Sequence, residues 1–152
     1  MNILIRVDAS NNIGGGHVLR CLDLAHSLKK NVSKIEFLCN PLMGNSIKKI
    51  KNHGFIAHSF TEQKKISSFS SSIPHSKHLG VSWEVDCQQT INFLQEIKQA
   101  YDMIIIDHYA LDFRWEKKIR SYIPKIMVID DLANRKHDCD LILDQVFQSS
   151  LD

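Results

Sequence analysis

A histidine that directly follows three glycines is the feature of this sequence best suited to chemistry. Residues 13–17 read IGGGH and follow a short segment rich in Ser and Asn. Glycine adopts backbone angles closed to other residues and lets a ligand approach the main chain. A helix that begins at such a turn directs its free N–H groups and positive dipole end at the same space. We therefore predict an anion-binding turn at Gly14, Gly15 and Gly16, with His17 beside it.

The spacing of these glycines argues against two common nucleotide-binding loops. Leu19 occupies the position of the third glycine in the GxGxxG pattern. No Gly-Lys-Ser/Thr follows, as it would in a P-loop. The turn therefore gives weak support for a dinucleotide or ATP site.

Three apolar segments end in aspartate, at Asp8 (IRVD), Asp107 (IIID) and Asp130 (VIDD). In an open parallel sheet, ligands bind beyond the carboxyl ends of the strands, where the strand order reverses. In a Rossmann-like order the IRVD and IIID strands are neighbours at that point. We therefore expect Asp8, the glycine turn and Asp107-His108-Tyr109 to converge on one rim. Each aspartate alone has an equally simple interpretation as a helix cap or turn residue.

Two residues of the following helix could act on a ligand at this rim. His17 could be a general base, because the positive end of a helix favours the neutral imidazole. It could equally cap the helix or order the turn, and the spacing leaves both interpretations open. Arg20 lies one turn later on the same face and could bind a phosphate, but an ion pair with a strand-end aspartate is the interpretation we prefer.

The remaining candidates favour structural roles. His75 and His78 lie three residues apart in a polar segment, and we expect both at the surface. Trp115 is expected in the core. The four cysteines have no CxxC spacing, which favours apolar packing over a zinc site, so we predict no metal and no cofactor.

The elements that must position these residues alternate between strands and helices. We predict strands over residues 3–7, 35–39, 55–60, 103–106, 126–129 and 141–143. We predict helices over residues 18–30, 45–52, 84–100 and 113–122. The apolar residues of the third helix are Val85, Ile91, Leu94 and Ile97. The strands are apolar on both faces, which indicates an α/β, Rossmann-like parallel sheet with helices on both faces. Residues 61–82 are rich in Ser and Lys and are expected to form a surface excursion.

Length and charge narrow the class of protein. A chain of 152 residues suits one domain, residues 1–152. The net charge is only +2, and no dense basic run favours a nucleic-acid partner. No apolar run approaches the ~18 residues that span a bilayer, and the start of the chain is typical of a first strand, not of a signal peptide. We therefore expect a cytoplasmic protein with no membrane partner.

Several segments in the same order resemble the UDP-2,4-diacetamido-2,4,6-trideoxy-β-L-altropyranose hydrolases of pseudaminic acid biosynthesis. They read RVDAS (residues 6–10), IGGGHVLRCL (13–22), DHYALD (107–112), IDDLANR (129–135) and LDQ (143–145). The resemblance covers nearly the whole chain and is weakest across residues 61–82.

This resemblance implies a fold, a reaction and a set of site residues. The family has two Rossmann-type domains around a cleft, in a glycosyltransferase-B-like arrangement, and this chain would be the N-terminal one. The family adds water at the anomeric carbon of a UDP-linked sugar, with inversion and without a metal. His17 matches the histidine that activates the water. The substrate-binding residues are expected to be Asp8, Gly14, Gly15, Gly16, Arg20, Asp107, His108 and Tyr109.

The chain also departs from the family pattern. Family members are roughly twice as long, and we expect these 152 residues to lack the C-terminal half that supplies most contacts to the uridine diphosphate. We expect the chain to fold, to bind UDP-sugar poorly and to turn it over negligibly alone. Its open face is expected to expose apolar area and to favour self-association. Two alternatives stay open: a non-catalytic module that binds a sugar nucleotide or a partner, and half of a glycosyltransferase.

Overall fold

The six predicted strands are all present and form one sheet in a computed structural model, which describes residues 1–61 and 75–145. They are β1 (Asn2–Val7), β2 (Lys34–Cys39), β3 (Ile56–Ser59), β4 (Met103–Asp107), β5 (Lys125–Ile129) and β6 (Leu141–Leu143). Every pairing is parallel, as their apolar character on both faces predicts.

The order of the strands is β3-β2-β1-β4-β5-β6. The chain moves outward from β1 to β3 and then returns to place β4 against the other side of β1. Val7 is paired with Asp107 in this register, so the IRVD and IIID segments end side by side. The predicted Rossmann-like order and the position of its switch point are therefore confirmed.

In the described ranges, four α-helices cover the two faces of the sheet: α1 (Gly16–Leu28), α2 (Ile47–Asn52), α3 (Trp83–Glu96) and α4 (Phe113–Ile119). Helices α1 and α2 pack on one face, where Val18, Leu22 and Ile50 join the odd-numbered residues of β1. Helices α3 and α4 pack on the other face, where Trp115 and Ile119 join Leu4 and Ile104. Alternate residues of a strand face opposite sides, so each strand contributes to both clusters.

Helix α1 begins at Gly16, two residues earlier than predicted, and α3 ends at Glu96, four residues earlier. The early start follows from the turn before α1, where Gly14 has a φ of 78° and donates its N–H to Ser10 O at 2.8 Å. Helix α3 ends early because the backbone of Ile97 is extended.

Helix α3 also buries a charged residue. Its apolar residues Val85, Ile91, Leu94 and Ile97 are partly buried and pack against the core, and its buried residues are Asp86, Cys87 and Thr90. Asp86 is buried because Arg6 of β1 is itself fully buried and requires carboxylate partners. Its Nη2 lies 2.5 Å from Asp86 Oδ2, and its Nη1 lies 2.6 Å from Asp8 Oδ1.

The predicted surface excursion is partly wrong. Residues 62–74 lie outside the described part of the chain. Residues 76–79 form a short 3₁₀ helix, Ser76–Leu79, and both Leu79 and Val81 are buried. This short apolar anchor brings the segment back onto the sheet. Residues 146–152 also lie outside the described part of the chain.

The cysteines pack as predicted. Cys21, Cys39 and Cys87 are buried, Cys139 is partly buried, and none of them forms a disulfide. Burial raises the pKa of Cys39 to about 12 and that of Cys87 to about 11, which keeps both thiols protonated at neutral pH. Among the residues described, no helix has both the length and the apolar character needed to cross a membrane.

Candidate active site

The glycine turn joins β1 to α1, and the role of Gly14 differs from that of Gly15 and Gly16. Gly14 has a left-handed backbone (φ 78°), which glycine adopts without steric cost. A Cβ placed on Gly15 or Gly16 would meet no atom within 4 Å, so the space above them is open. Ser10 closes the turn from below, because its Oγ accepts the N–H groups of Asn12 and Ile13 at 3.2 and 3.1 Å.

The N-terminus of α1 faces this turn without a side-chain cap. Gly15 is the N-cap residue, and the first bond of the helix runs from Leu19 N–H to Gly15 O at 3.0 Å. The N–H groups of the first helical turn have no intrahelical partner, as at any helix start. The turn therefore keeps the donors and the open space that an anion requires.

His17 is held by a carboxylate of the neighbouring strand. Its Nδ1 lies 2.6 Å from Asp107 Oδ1, and the Asp107 side chain is fully buried. An ionised carboxylate only accepts hydrogen bonds, so Nδ1 carries the proton, and the neutral ring has its lone pair at Nε2. Arg20 Nη2 lies 3.0 Å from the same Nδ1. Because both atoms are then donors, we interpret that approach as a contact and not as a hydrogen bond.

Arg20 holds Asp107 in its ionised state. The guanidinium donates from Nε at 2.6 Å and from Nη2 at 2.5 Å to the two Asp107 oxygens, and from Nη1 to Asp131 Oδ2 at 2.8 Å. Burial raises the pKa of Asp107, but the hydrogen bonds from Arg20 and His17 outweigh it, so the pKa lies below its ordinary value. The predicted ion pair between Arg20 and a strand-end aspartate is therefore present, with Asp107 as the partner.

Tyr109 completes the exposed side of this group. The edge of its ring contacts His17 with centroids 4.5 Å apart, and its hydroxyl donates to Asp131 Oδ1 at 2.6 Å. Burial, followed by the hydrogen bond to Asp131, raises the pKa of Tyr109 to about 12. The phenol therefore stays protonated at neutral pH and can donate but not act as a base.

Asp8 and His108 lie in a separate buried group, and their binding role at the cleft stays a prediction. Both are buried, and Asp8 accepts hydrogen bonds from Arg6 and from the backbone and side chain of Asn40. Successive strand residues face opposite sides. Asp107 therefore faces α1, whereas His108 faces the α3 side, where its Nε2 lies 3.3 Å from Asp8 Oδ2.

The pKa of Asp8 supports a structural role for this residue. Burial raises the pKa, but Arg6 and His108 more than compensate, and it lies far below its usual range. Asp8 thus remains a charge balanced by protein groups. It fixes the end of β1 against Arg6 and Asn40.

Sequence reasoning missed two residues of this rim. Asp131 joins Arg20 to Tyr109, and its signal was the double aspartate after β5, whose first member, Asp130, turns instead to Arg135 and His137. His75, expected at the surface, is exposed, but its ring lies 5.6 Å from that of Tyr109. No signal in its polar segment distinguishes it from a solvent-facing residue.

A doubly wound parallel sheet with a glycine turn at its switch point defines an α/β, Rossmann-like domain. The chain is 31% identical over 144 residues to a UDP-2,4-diacetamido-2,4,6-trideoxy-beta-L-altropyranose hydrolase of Campylobacter jejuni, which is 94% of this chain and 41% of that protein. It is 29% identical over 133 residues to an uncharacterized protein of Methanocaldococcus jannaschii, which is 86% of this chain and 22% of that protein. The resemblance predicted from the motifs is confirmed.

The chain spans less than half the length of each of these curated relatives. Such coverage is consistent with a match to one domain of a larger protein. No family model matches the sequence.

Proposed function

We propose that this chain is the part of a nucleotide-sugar hydrolase that supplies the general base. The reaction would release UDP and free sugar from a UDP-linked diacetamido-trideoxy sugar, in the cytoplasm, as a step of pseudaminic acid biosynthesis. The observation that carries the proposal is the pair of His17 Nδ1 and Asp107 Oδ1, 2.6 Å apart, beside the open glycine turn. The similarity to the Campylobacter hydrolase supports the choice of substrate.

In this mechanism His17 Nε2 removes a proton from a water molecule as the water oxygen attacks the anomeric carbon. The bond between that carbon and the phosphate oxygen breaks, and UDP leaves with the electron pair. Attack from the side opposite to UDP inverts the anomeric centre. Asp107 fixes the tautomer and stabilises the imidazolium, as the carboxylate of a catalytic triad does.

The substrate-binding roles follow the exposed side of the site. The open backbone at Gly15 and Gly16 and the first helical turn would face the diphosphate, while Gly14 shapes the turn. Tyr109 and Arg20 would border the sugar, and Arg20 would at the same time donate to Asp107.

We also propose that a second, nucleotide-binding domain completes the cleft. The coverage of 41% of the Campylobacter hydrolase supports a site of which this chain supplies one wall. Residues 1–152 would then be the N-terminal Rossmann-like domain.

The test measures UDP release from the UDP-linked sugar. The chain is assayed alone and fused to the complementary C-terminal segment of the Campylobacter hydrolase. We expect negligible release alone, release by the fusion, and a loss of about 10²-fold or more in His17→Ala. The control is His53→Ala, an exposed histidine at the end of α2, which should retain full activity.

Three outcomes would count against the proposal or a part of it. Robust UDP release by the isolated chain would overturn the proposal that a second domain completes the cleft. A fusion that binds the UDP-sugar without releasing UDP would identify a binding module. Transfer of the sugar to an acceptor in place of water would identify a glycosyltransferase.

A further inference from the structure

Two histidines outside the motifs lie beside Tyr109, the residue that contacts His17. The ring of His75 lies 5.6 Å from that of Tyr109 and 5.2 Å from that of His78. Tyr109 in turn contacts His17, so the rings form a continuous row along the rim. We call His75 and His78 the histidine wall.

The fold holds the histidine wall in place through the residue that follows it. Leu79 is buried in the core, and its carbonyl accepts the Asn40 Nδ2–H at 3.4 Å, just beyond the end of β2. His78 donates its N–H to His75 O at 2.8 Å, which closes the turn between the two histidines. The histidine wall is therefore anchored just beyond the carboxyl end of β2, the strand next to β1.

The pKa of His78 agrees with the position that these ring contacts give it. Burial lowers that pKa, and the positive charges of His75, His108 and His17 lower it further. An anion placed against these imidazoles would offset that repulsion.

The chemistry of the rim specifies what such a group would be. The nearest carboxylates already accept hydrogen bonds from protein donors: Asp107 from Arg20 and His17, and Asp131 from Arg20 and Tyr109. Across the described ranges, by contrast, no hydrogen bond joins the rings of the histidine wall to another residue. The rim is rich in donors and poor in available acceptors, so it favours a ligand with many acceptor oxygens.

We infer that His75 and His78 bind phosphate oxygens, across the rim from the glycine turn. This inference rests on the proposed function in taking that phosphate to be the diphosphate of the nucleotide sugar. Imidazole N–H groups would donate to the phosphate from one side and the backbone of the turn from the other. These two histidines would then be binding residues for the leaving group, distinct from the base His17.

The test uses the 152-residue chain and three probes: inorganic pyrophosphate, UDP and uridine. Ring ¹⁵N resonances of the histidines are followed by NMR while each probe is added. We expect shifts at His75 and His78 with pyrophosphate and UDP and none with uridine. Affinity for pyrophosphate, measured by calorimetry, should fall about tenfold in each of His75→Gln and His78→Gln, as for the loss of a charge-assisted hydrogen bond.

The control is His53→Gln, an exposed histidine at the end of α2 that should bind pyrophosphate as the wild type does. The inference is wrong if pyrophosphate does not bind, if binding leaves both ring signals unchanged, or if both variants keep full affinity. UDP release separates it from the proposed function. Without any release by the fusion, but with pyrophosphate binding that requires the histidine wall, only the proposed function fails. With release, but binding indifferent to the wall, only this inference fails.

Discussion

At the residue scale, the candidate site depends on one buried carboxylate shared by an arginine and a histidine. Asp107 receives both Arg20 and His17, and Arg20 holds the pKa of Asp107 low. A carboxylate of low basicity does not take the proton from the imidazole. It orients the ring and stabilises its charge, which is the role that a general base requires of its partner.

We predict that Asp107→Asn lowers kcat by as much as about 10⁴-fold in the fused protein. An asparagine amide can donate to Nδ1 of His17, which moves the ring proton to Nε2 and removes the lone pair needed for water. The change in tautomer is measured independently from the ¹⁵N shifts of the His17 ring. Unchanged ring shifts with full activity would show that Asp107 does not set the tautomer.

Sequence reasoning at this scale succeeded where a motif and a strand end coincide. Asp107, Arg20 and Tyr109 surround His17 as expected, whereas Asp8 and His108 face the other side of the sheet. Successive residues along a strand face opposite sides, and that alternation, continued one residue past β4, could have separated Asp107 from His108. The position of His75 could not be read, because it depends on how Leu79 packs.

At the element scale, a buried charge connects three elements of the fold. Arg6 of β1 binds Asp86 of α3, and Asp86 also accepts the indole N–H of Trp115 in α4 at 3.0 Å. This network explains why an arginine interrupts an otherwise apolar strand. The same requirement turns Asp86 inward, which the apolar pattern of α3 alone could not predict.

We predict that Asp86→Ala destabilises the fold by about 3–5 kcal/mol, because it leaves the guanidinium of Arg6 with one carboxylate less in a buried site. Urea unfolding monitored by circular dichroism measures the change. Glu84→Ala is the matched control, since Glu84 is exposed in the same helical turn and should cost at most about 1 kcal/mol. Equal losses in the two variants would contradict a structural role for the Asp86 charge.

At the scale of the whole molecule, parallel strands and a reversal of their order create the site, and both were predictable. Continuous apolar segments separated by helices favour a doubly wound sheet. The connection from β5 to β6 was not predictable in detail, because it contains no helix and is held by side chains. His137 lies there between Glu116 Oε1 at 2.6 Å and Asp130 Oδ2 at 3.3 Å.

This connection should make global stability depend on pH. Burial lowers the pKa of His137, but the hydrogen bond to Glu116 outweighs it, so the folded-state pKa lies above the unfolded value of about 6.5. The stabilisation is then fully present below about pH 6.5 and is lost as pH rises through the folded-state pKa. Melting temperatures from about pH 5.5 to about pH 8.5 should fall more steeply in the wild type than in His137→Gln.

The control for this measurement is His53→Gln, whose pH dependence should match that of the wild type because His53 is exposed and distant from the β5–β6 connection. Parallel curves for the wild type and His137→Gln would show that the histidine contributes no proton-linked stability.

Because the space above the glycine turn is open, a methyl group added at Gly16 can report how closely a ligand approaches the backbone. The backbone of Gly16 is helical and a Cβ there would touch nothing, so alanine should maintain the free energy of unfolding or raise it by up to about 1 kcal/mol through helix propensity. Any loss of pyrophosphate affinity in Gly16→Ala would then measure how closely the ligand approaches the main chain. Unchanged affinity would place the ligand at least a methyl group away from the turn.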